Sequence, residues 1–345
     1  MSTNAKYNPT LADIASRMGP DKRVDTDIIE ALNETSELRT YMTTLEANGI
    51  TEHVTTVRTG LPTVAWKKLN WGVQPSKSTT KQVKDSLGRI EAWAEVDTQL
   101  LEINDWDKDF RFTEELAFVE AMNQKVDRAI FYGDNKKDPE AILGLTARYA
   151  TGKKAAADNA VNVIDGGGTI ASGKSSDLTS IWVMCCSPRT LFMTYPKGSS
   201  AGLKTEDKGI VTTEDANGGK FDVTRTKFSW DVGLVLRDWR YVVRIANISK
   251  AALKADASTT GAVDLDDLLS DAINRMPSLT NGGRFVICCN RTVKNCLKKQ
   301  FKHAKNVRYG ISEIAGKDVD RYDGIPIAIC DALEFGEAKV PFDAA

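Results

Sequence analysis

The feature that most constrains this chain is the stretch Phe110 to Gly133, FRFTEELAFVEAMNQKVDRAIFYG. Phe112, Leu116, Val119, Met122, Val126 and Ile130 return at three- and four-residue steps, so on a helix they fall along one stripe. Glu114 and Glu115 occupy the first turn, where the helix dipole favours anions, and Gly133 supplies the left-handed conformation that ends a helix. About 20 residues at ~1.5 Å rise make a rod of roughly 30 Å. The rod divides the chain: a polar tail and a β-patterned arm precede it, and a globular body follows.

The arm, residues 53–97, alternates in a β fashion, with turn signals at Gly60–Pro62, Gly72–Pro75 and Asp85–Gly88. As one hairpin, each side of about 20 residues would reach on the order of 65 Å. A compact chain of this length has a radius of gyration of only about 20 Å. The hairpin therefore folds back at Gly72–Pro75 or stands out from the body. Lys67, Lys68, Lys77, Lys81, Lys84, Arg89, Glu91 and Glu95 put charge on both sides of it. Trp66, Trp71 and Trp93 are costly to leave in water and favour interfaces. A surface sheet with packed tryptophans is the plainer alternative, but projection into a neighbouring copy accounts for the charges and the tryptophans together.

Residues 1–50 are polar, with weak helical patches around Pro9–Met18 and Asp27–Leu45, and cannot bury a core alone. Behind the rod, SIWVMCC, RTLFMTY and the run Val223 to Ile248 are rich in β-formers. Residues 250–262 read as a linker. Asp264 then opens an amphipathic helix (Leu265, Leu268, Leu269, Ile273) that Pro277 closes. Arg284–Cys289 reads as a buried strand, Arg291–Lys302 as a helix and Ile325–Cys330 as a strand, so 263–333 is expected to be a small α/β lobe. At 345 residues, 41% hydrophobic and 27% charged, the chain has ample material for a core, and the class is α+β.

Composition excludes several functions. Lys plus Arg number 46 against 47 Asp plus Glu, so no net charge argues for nucleic acid or an anionic membrane. The longest apolar run, Ile181 to Cys186, is far too short to span a bilayer, and the start MSTNAKYNPT carries no apolar signal region, so a reducing, soluble compartment is expected. The six cysteines, two of them adjoining pairs and none in CxxC spacing, read as buried free thiols.

Gly168 to Ser175 fits the phosphate-cradling loop G-x-x-x-x-G-K-[ST], and VNVID before it resembles a strand. That chemistry needs a helix starting at Lys174, yet a strand pattern follows at once, so a chance match in a surface loop is the better reading. The only two histidines, His53 and His303, lack metal-ligand partners on their own elements and read as solvated. Asp264, Asp266 and Asp267 lack the rest of a calcium loop and read as helix-start charge. The basic stretch 291–302 (Lys294, Lys298, Lys299, Lys302) lacks interleaved aromatics and reads as a solvated or partner-facing face. No catalytic, cofactor or metal site is expected; assembly is what remains.

The strings RTGLPTVAWKKLNWGVQPSKSTT, EAWAEVD, FVEAMNQKVDRAIFYGD, YPKGSSAGL and GLVLRDWRYVVRIANI resemble the major capsid proteins of tailed bacteriophages, particularly a podophage-type group, over about residues 50–333. The resemblance implies the Hong Kong 97-like capsid fold: an N-terminal arm (1–50), an extended loop (51–97), a peripheral domain (98–262) carrying a spine helix at 113–132, an axial α/β domain (263–333) and a C-terminal tail (334–345). It implies a non-enzymatic shell protein that assembles with itself into pentamers and hexamers of an icosahedral head around double-stranded DNA. Cement or decoration, portal and scaffolding proteins are further implied partners, with synthesis in the host bacterial cytoplasm and residence in the virion. Inter-subunit contacts are expected at Trp66, Lys67, Lys68, Trp71, Lys77, Lys81 and Trp93. Some relatives crosslink through a lysine of the extended loop; nothing around Lys77 or Lys81 supports that, so assembly is expected to be non-covalent. In the common form of the fold the axial lobe follows the spine helix, whereas here the strand block 180–248 comes first, so a permuted connectivity is expected. The competing readings are a P-loop nucleotide hydrolase at 168–175 and a nanocompartment shell of the same fold.

Overall fold

The computed structural model describes residues 36–102, 107–167, 177–215, 218–253, 261–277, 283–304, 309–314 and 317–343. The phosphate-loop match at 168–175 and the helical patch at Pro9–Met18 lie outside them. The described chain separates into two compact units, each taken by itself below.

The first unit contains Arg89–Arg128 and Gly202–Asp231. Its sheet is formed by parts of three strands, β3 (Thr79–Asp97), β7 (Leu203–Glu214) and β8 (Lys220–Leu236). β8 lies between the other two. Strand alternation sends Ile90, Ala92, Ala94, Phe228 and Trp230 to one face, where Phe118, Val119 and Met122 of the long helix pack on them. Phe118 and Phe228 stack with centroids 6.2 Å apart. The opposite face is a charged ladder: Arg225 pairs with Glu95 at 2.7 Å and Lys227 with Glu91 at 3.1 Å.

The helix runs Asp107–Tyr132, 26 residues without Gly or Pro. That is longer than the 113–132 read from periodicity and amounts to about 39 Å. The apolar stripe is only half covered. Met122, Val126 and Ile130 are buried, whereas Phe112 is 62% and Leu116 44% exposed.

The second unit contains Thr35–Gly88, Ala129–Ala201 and Val232–Ala345. At its centre is β5 (Leu178–Cys186), buried at every position, which explains why it reads as an unbroken apolar run. β9 (Val242–Ser249) pairs antiparallel along one side of it and β10 (Arg284–Cys289) along the other. β4 (Val163–Asp165) extends the sheet beyond β9, and β13 (Ile325–Ile329) beyond β10, each as a parallel neighbour. A hairpin of β11 (Tyr309–Ile314) and β12 (Lys317–Tyr322) continues from β13.

The helices Leu265–Arg275 and Arg291–Ala304 cover one face, bringing Leu265, Leu269, Val293 and Leu297 against Ile181, Val183, Ile245 and Ile287. Asp264 caps the first of these, its carboxylate accepting from the N–H groups of Asp266 and Asp267 at 3.0 and 3.3 Å. On the other face Trp182 lies fully buried between Phe131 and Tyr149. Arg244 stands over its ring and donates to Glu337 at 2.6 Å and to the Tyr149 carbonyl at 2.8 Å.

Three expectations are corrected. The boundary near residue 262 does not exist: β5 hydrogen-bonds to β9 on one side and β10 on the other, so strand block and α/β lobe are one sheet. The contrast that pointed to a permuted connectivity vanishes with that boundary. Residues 36–50 are not free arm: the short helix Leu38–Tyr41 is followed by β1 (Thr44–Glu46), parallel to β6 (Leu191–Tyr195), and Leu38, Met42 and Ala47 are buried. The β-branched Thr43 and Thr44 favour the strand over the helix read through Leu45. Residues 334–343 belong to the second unit, with Glu337 and Val340 buried.

Candidate assembly surface

The arm is a hairpin only at its base. β2 (Glu52–Gly60) pairs antiparallel with β3 from Glu52↔Ser86 to Gly60↔Thr79. Asp85, read as part of a turn, instead sits inside β3, buried 2.8 Å from the Arg148 guanidinium. Arg148 also donates to the carbonyls of Leu143 and Leu234, so the charge pair fastens the hairpin base to the body. Two residues on, the Leu87 side chain fills the space at Gly233, where a Cβ would lie 2.3 Å from it. His53 is not solvated: it is half-buried, edge-on to Phe192 at 5.7 Å, and its Nδ1 accepts from the Asn48 N–H at 3.3 Å. Burial first, and then the Arg237 guanidinium, hold its imidazole below the ordinary histidine value, with Asp85 acting in the opposite direction.

Beyond Gly60 the ladder stops. Residues 61–78 contain neither helix nor strand. Pro62 and Pro75 remove ladder donors. The chain turns at Lys68–Trp71, where Asn70 has φ +61° and the Trp71 N–H donates to the Lys68 carbonyl at 3.2 Å, rather than at Gly72–Pro75. Ser76 donates to the Thr63 carbonyl at 2.7 Å, closing the tip on itself. Trp66 is 100%, Leu69 90%, Val64 87% and Trp71 71% exposed. Lys67, Lys68, Lys77 and Lys81 are exposed around them, with the Lys68 ammonium 5.9 Å from the Trp71 ring centre. Leaving one indole of roughly 200 Å² in water forgoes about 5 kcal/mol of burial.

Trp93 has different surroundings from the other two tryptophans. It lies on the charged face of the first unit, between Arg225 at 5.8 Å and Lys227 at 5.1 Å, and is 43% exposed. Its own chain half covers it.

Among the described residues no group of three or more His, Cys, Asp or Glu is placed to hold a metal. All six cysteines are free thiols, and five are buried. Desolvation pushes Cys186 and Cys289 up to about 12, which keeps them protonated and unreactive. In the basic helix, Lys294 and Lys298 both meet Asp320, at 3.0 and 2.7 Å, so these two are engaged by their own chain. Sequence reasoning missed the Asp85–Arg148 anchor; its partners lie far apart in the chain, and only the fold joins them.

The pattern of the family described as Major capsid protein GP7 matches residues 19–341. A chain in the near-atomic structure of bacteriophage Epsilon15 is 30% identical, covers 99% of this chain with 99% of its own, and superposes with a TM-score of 0.78. The capsid of bacteriophage JBD30 is 10% identical over 94% of this chain and 99% of that one, with a TM-score of 0.50, and shares the fold. No curated protein matches the chain. The architecture is that of the Hong Kong 97-like capsid proteins. The chain belongs to the Major capsid protein GP7 family and is a major capsid protein of a tailed phage, a component of the virion's head shell.

Proposed function

We propose that copies of this chain close into an icosahedral shell of pentamers and hexamers, each copy laying its 61–78 tip on a neighbour. The observation that carries this is the tip itself: Trp66, Leu69, Val64 and Trp71 are all exposed and find no cover among the described residues. A patch of that kind is retained where a partner covers it. Trp66, Lys67, Lys68, Trp71, Lys77 and Lys81 are the contact residues of this reading, with Trp93 a secondary contact that a neighbour completes. A net charge of −1 limits repulsion among many copies.

In this reading the first unit is the peripheral domain with the long helix as its spine, and the second is the axial domain. The lumenal surface meets double-stranded DNA through scattered Lys and Arg, without sequence preference and weakened by salt. The chain works as structure rather than catalyst, is made in the host cytoplasm, and meets portal, scaffolding and cement proteins there. Electron microscopy of the purified full-length chain tests the proposal. Closed particles or capsomers are expected, and replacing 61–78 by a short Gly/Ser turn should leave folded subunits that do not close. A clean monomer at high concentration, or normal particles from the deletion, would overturn it.

A further inference from the structure

A groove of about 850 Å³ runs beside β2 in the second unit, lined by Thr55–Leu61 on one side and by Asp158, Arg189 and Arg237–Arg240 on the other. β2 pairs with β3 alone among the described strands. Along this wall, alternate backbone N–H and C=O groups therefore point away from β3 with no strand to meet them, over about 20 Å. Four arginines, Arg58, Arg189, Arg237 and Arg240, outnumber the two carboxylates of the lining, Asp158 and Asp238, so the groove is cationic on balance. Arg240 is held by Asp238 at 2.9 and 2.7 Å. Arg237 donates to the Pro188 carbonyl at 3.0 Å. Arg58 and Arg189 meet no carboxylate among the described residues, and Trp239, half-buried, adds an apolar surface.

The exposed Glu140, Asp267 and Asp271 lie in a turn and on a helix, so they present no extended acidic strand. Glu52, Glu206, Asp207, Glu214 and Asp331 are each already paired with one of its own Lys or Arg side chains. We propose that the β2 edge is a strand-addition site for an extended acidic segment of a different polypeptide. Main-chain hydrogen bonds to Thr55–Gly60 would supply affinity, and Arg58, Arg189 and Arg237 would select carboxylates. The proposal deepens the shell reading by giving the chemistry of an accessory partner.

The test is calorimetric titration of the full-length chain, as free subunits and as particles, with a peptide of about seven residues alternating Glu and Val. Its Lys-for-Glu counterpart is the control. The acidic peptide is expected to bind both forms and the basic one neither, with salt weakening the binding. The double variant Arg58→Glu, Arg189→Glu should weaken it by about tenfold or more while particles still form. Hydrogen exchange should slow at Thr55–Gly60 on binding. Equal binding of both peptides, or indifference to the double variant, overturns the site. So does slow exchange at Thr55–Gly60 in particles of this chain alone, because a second copy would then be the occupant. Peptide binding without particle formation would sink the shell reading and leave the site standing; particles that ignore the peptide would do the reverse.

Discussion

Residues 61–78 and 334–343 are both irregular segments, yet they meet opposite fates. The first leaves all its large side chains in water. The second is threaded into the α/β unit by polar contacts. Gly336 and Glu337 donate their N–H groups to the Leu178 carbonyl at 2.8 and 3.0 Å. Glu337 accepts from Arg244 at 2.6 Å and from the Tyr132 hydroxyl at 2.7 Å. Val340 exchanges hydrogen bonds with the Asn247 side chain at 2.8 and 3.0 Å. Phe342 occupies the space that a side chain at Gly152 would need. The two segments are equally apolar, seven hydrophobic residues of 18 against four of ten, but among the described residues the tip is held by Ser76 and Lys68–Trp71, both internal. Hydrophobicity alone therefore does not decide which irregular segment packs on its own chain; available backbone partners do.

The contrast can be broken most sharply at the tip. Replacing Trp66 and Trp71 together by alanine should abolish particle formation in sedimentation while shifting subunit stability by no more than about 0.5 kcal/mol. A large loss of subunit stability would mean that the indoles are covered in the free chain. The opposite pattern belongs to Glu337. Glu337→Ala leaves the Arg244 charge buried and unpaired and should cost about 3–5 kcal/mol in denaturant unfolding. Gly152→Val is expected to expel Phe342 and cost about 1–3 kcal/mol, loosening the end of the segment without touching the tip.

The smallest effect concerns pH at the hairpin base. Folding depresses the His53 pKa, so the unfolded chain takes up its proton first and stability declines as pH falls from the ordinary histidine value toward the folded one. The half-exposed ring makes the effect modest. Denaturant midpoints of His53→Gln should lose that slope between about pH 7 and 5 relative to the parent. An unchanged slope would place the titration elsewhere.

Much of this architecture was legible in the residues. The helix ending at Tyr132 before Gly133 follows from its stripe, β5 from its apolar run, and the Asp264 cap from its hydroxyl-free but carboxylate-bearing N-terminus. β7 was not legible: its residues are polar and exposed on both sides, so no alternation marks it, and its stability comes from pairing with β8. The joining of β5 to β9 and β10 was also hidden, because which strands pair depends on contacts distant in sequence. For the assembly surface, the tryptophans and lysines were readable as types, but that Trp93 is half covered by Arg225 and Lys227 while Trp66 and Trp71 stand exposed needed the fold.

Hydroxyl-radical footprinting of the tryptophans in free subunits and in assembled particles bears most directly on where the tip goes. Trp66 and Trp71 should oxidise readily in subunits and become protected in particles, while Trp182, fully buried in the free chain, stays protected in both. Equal oxidation of Trp66 and Trp71 in subunits and particles would contradict burial on a neighbouring copy.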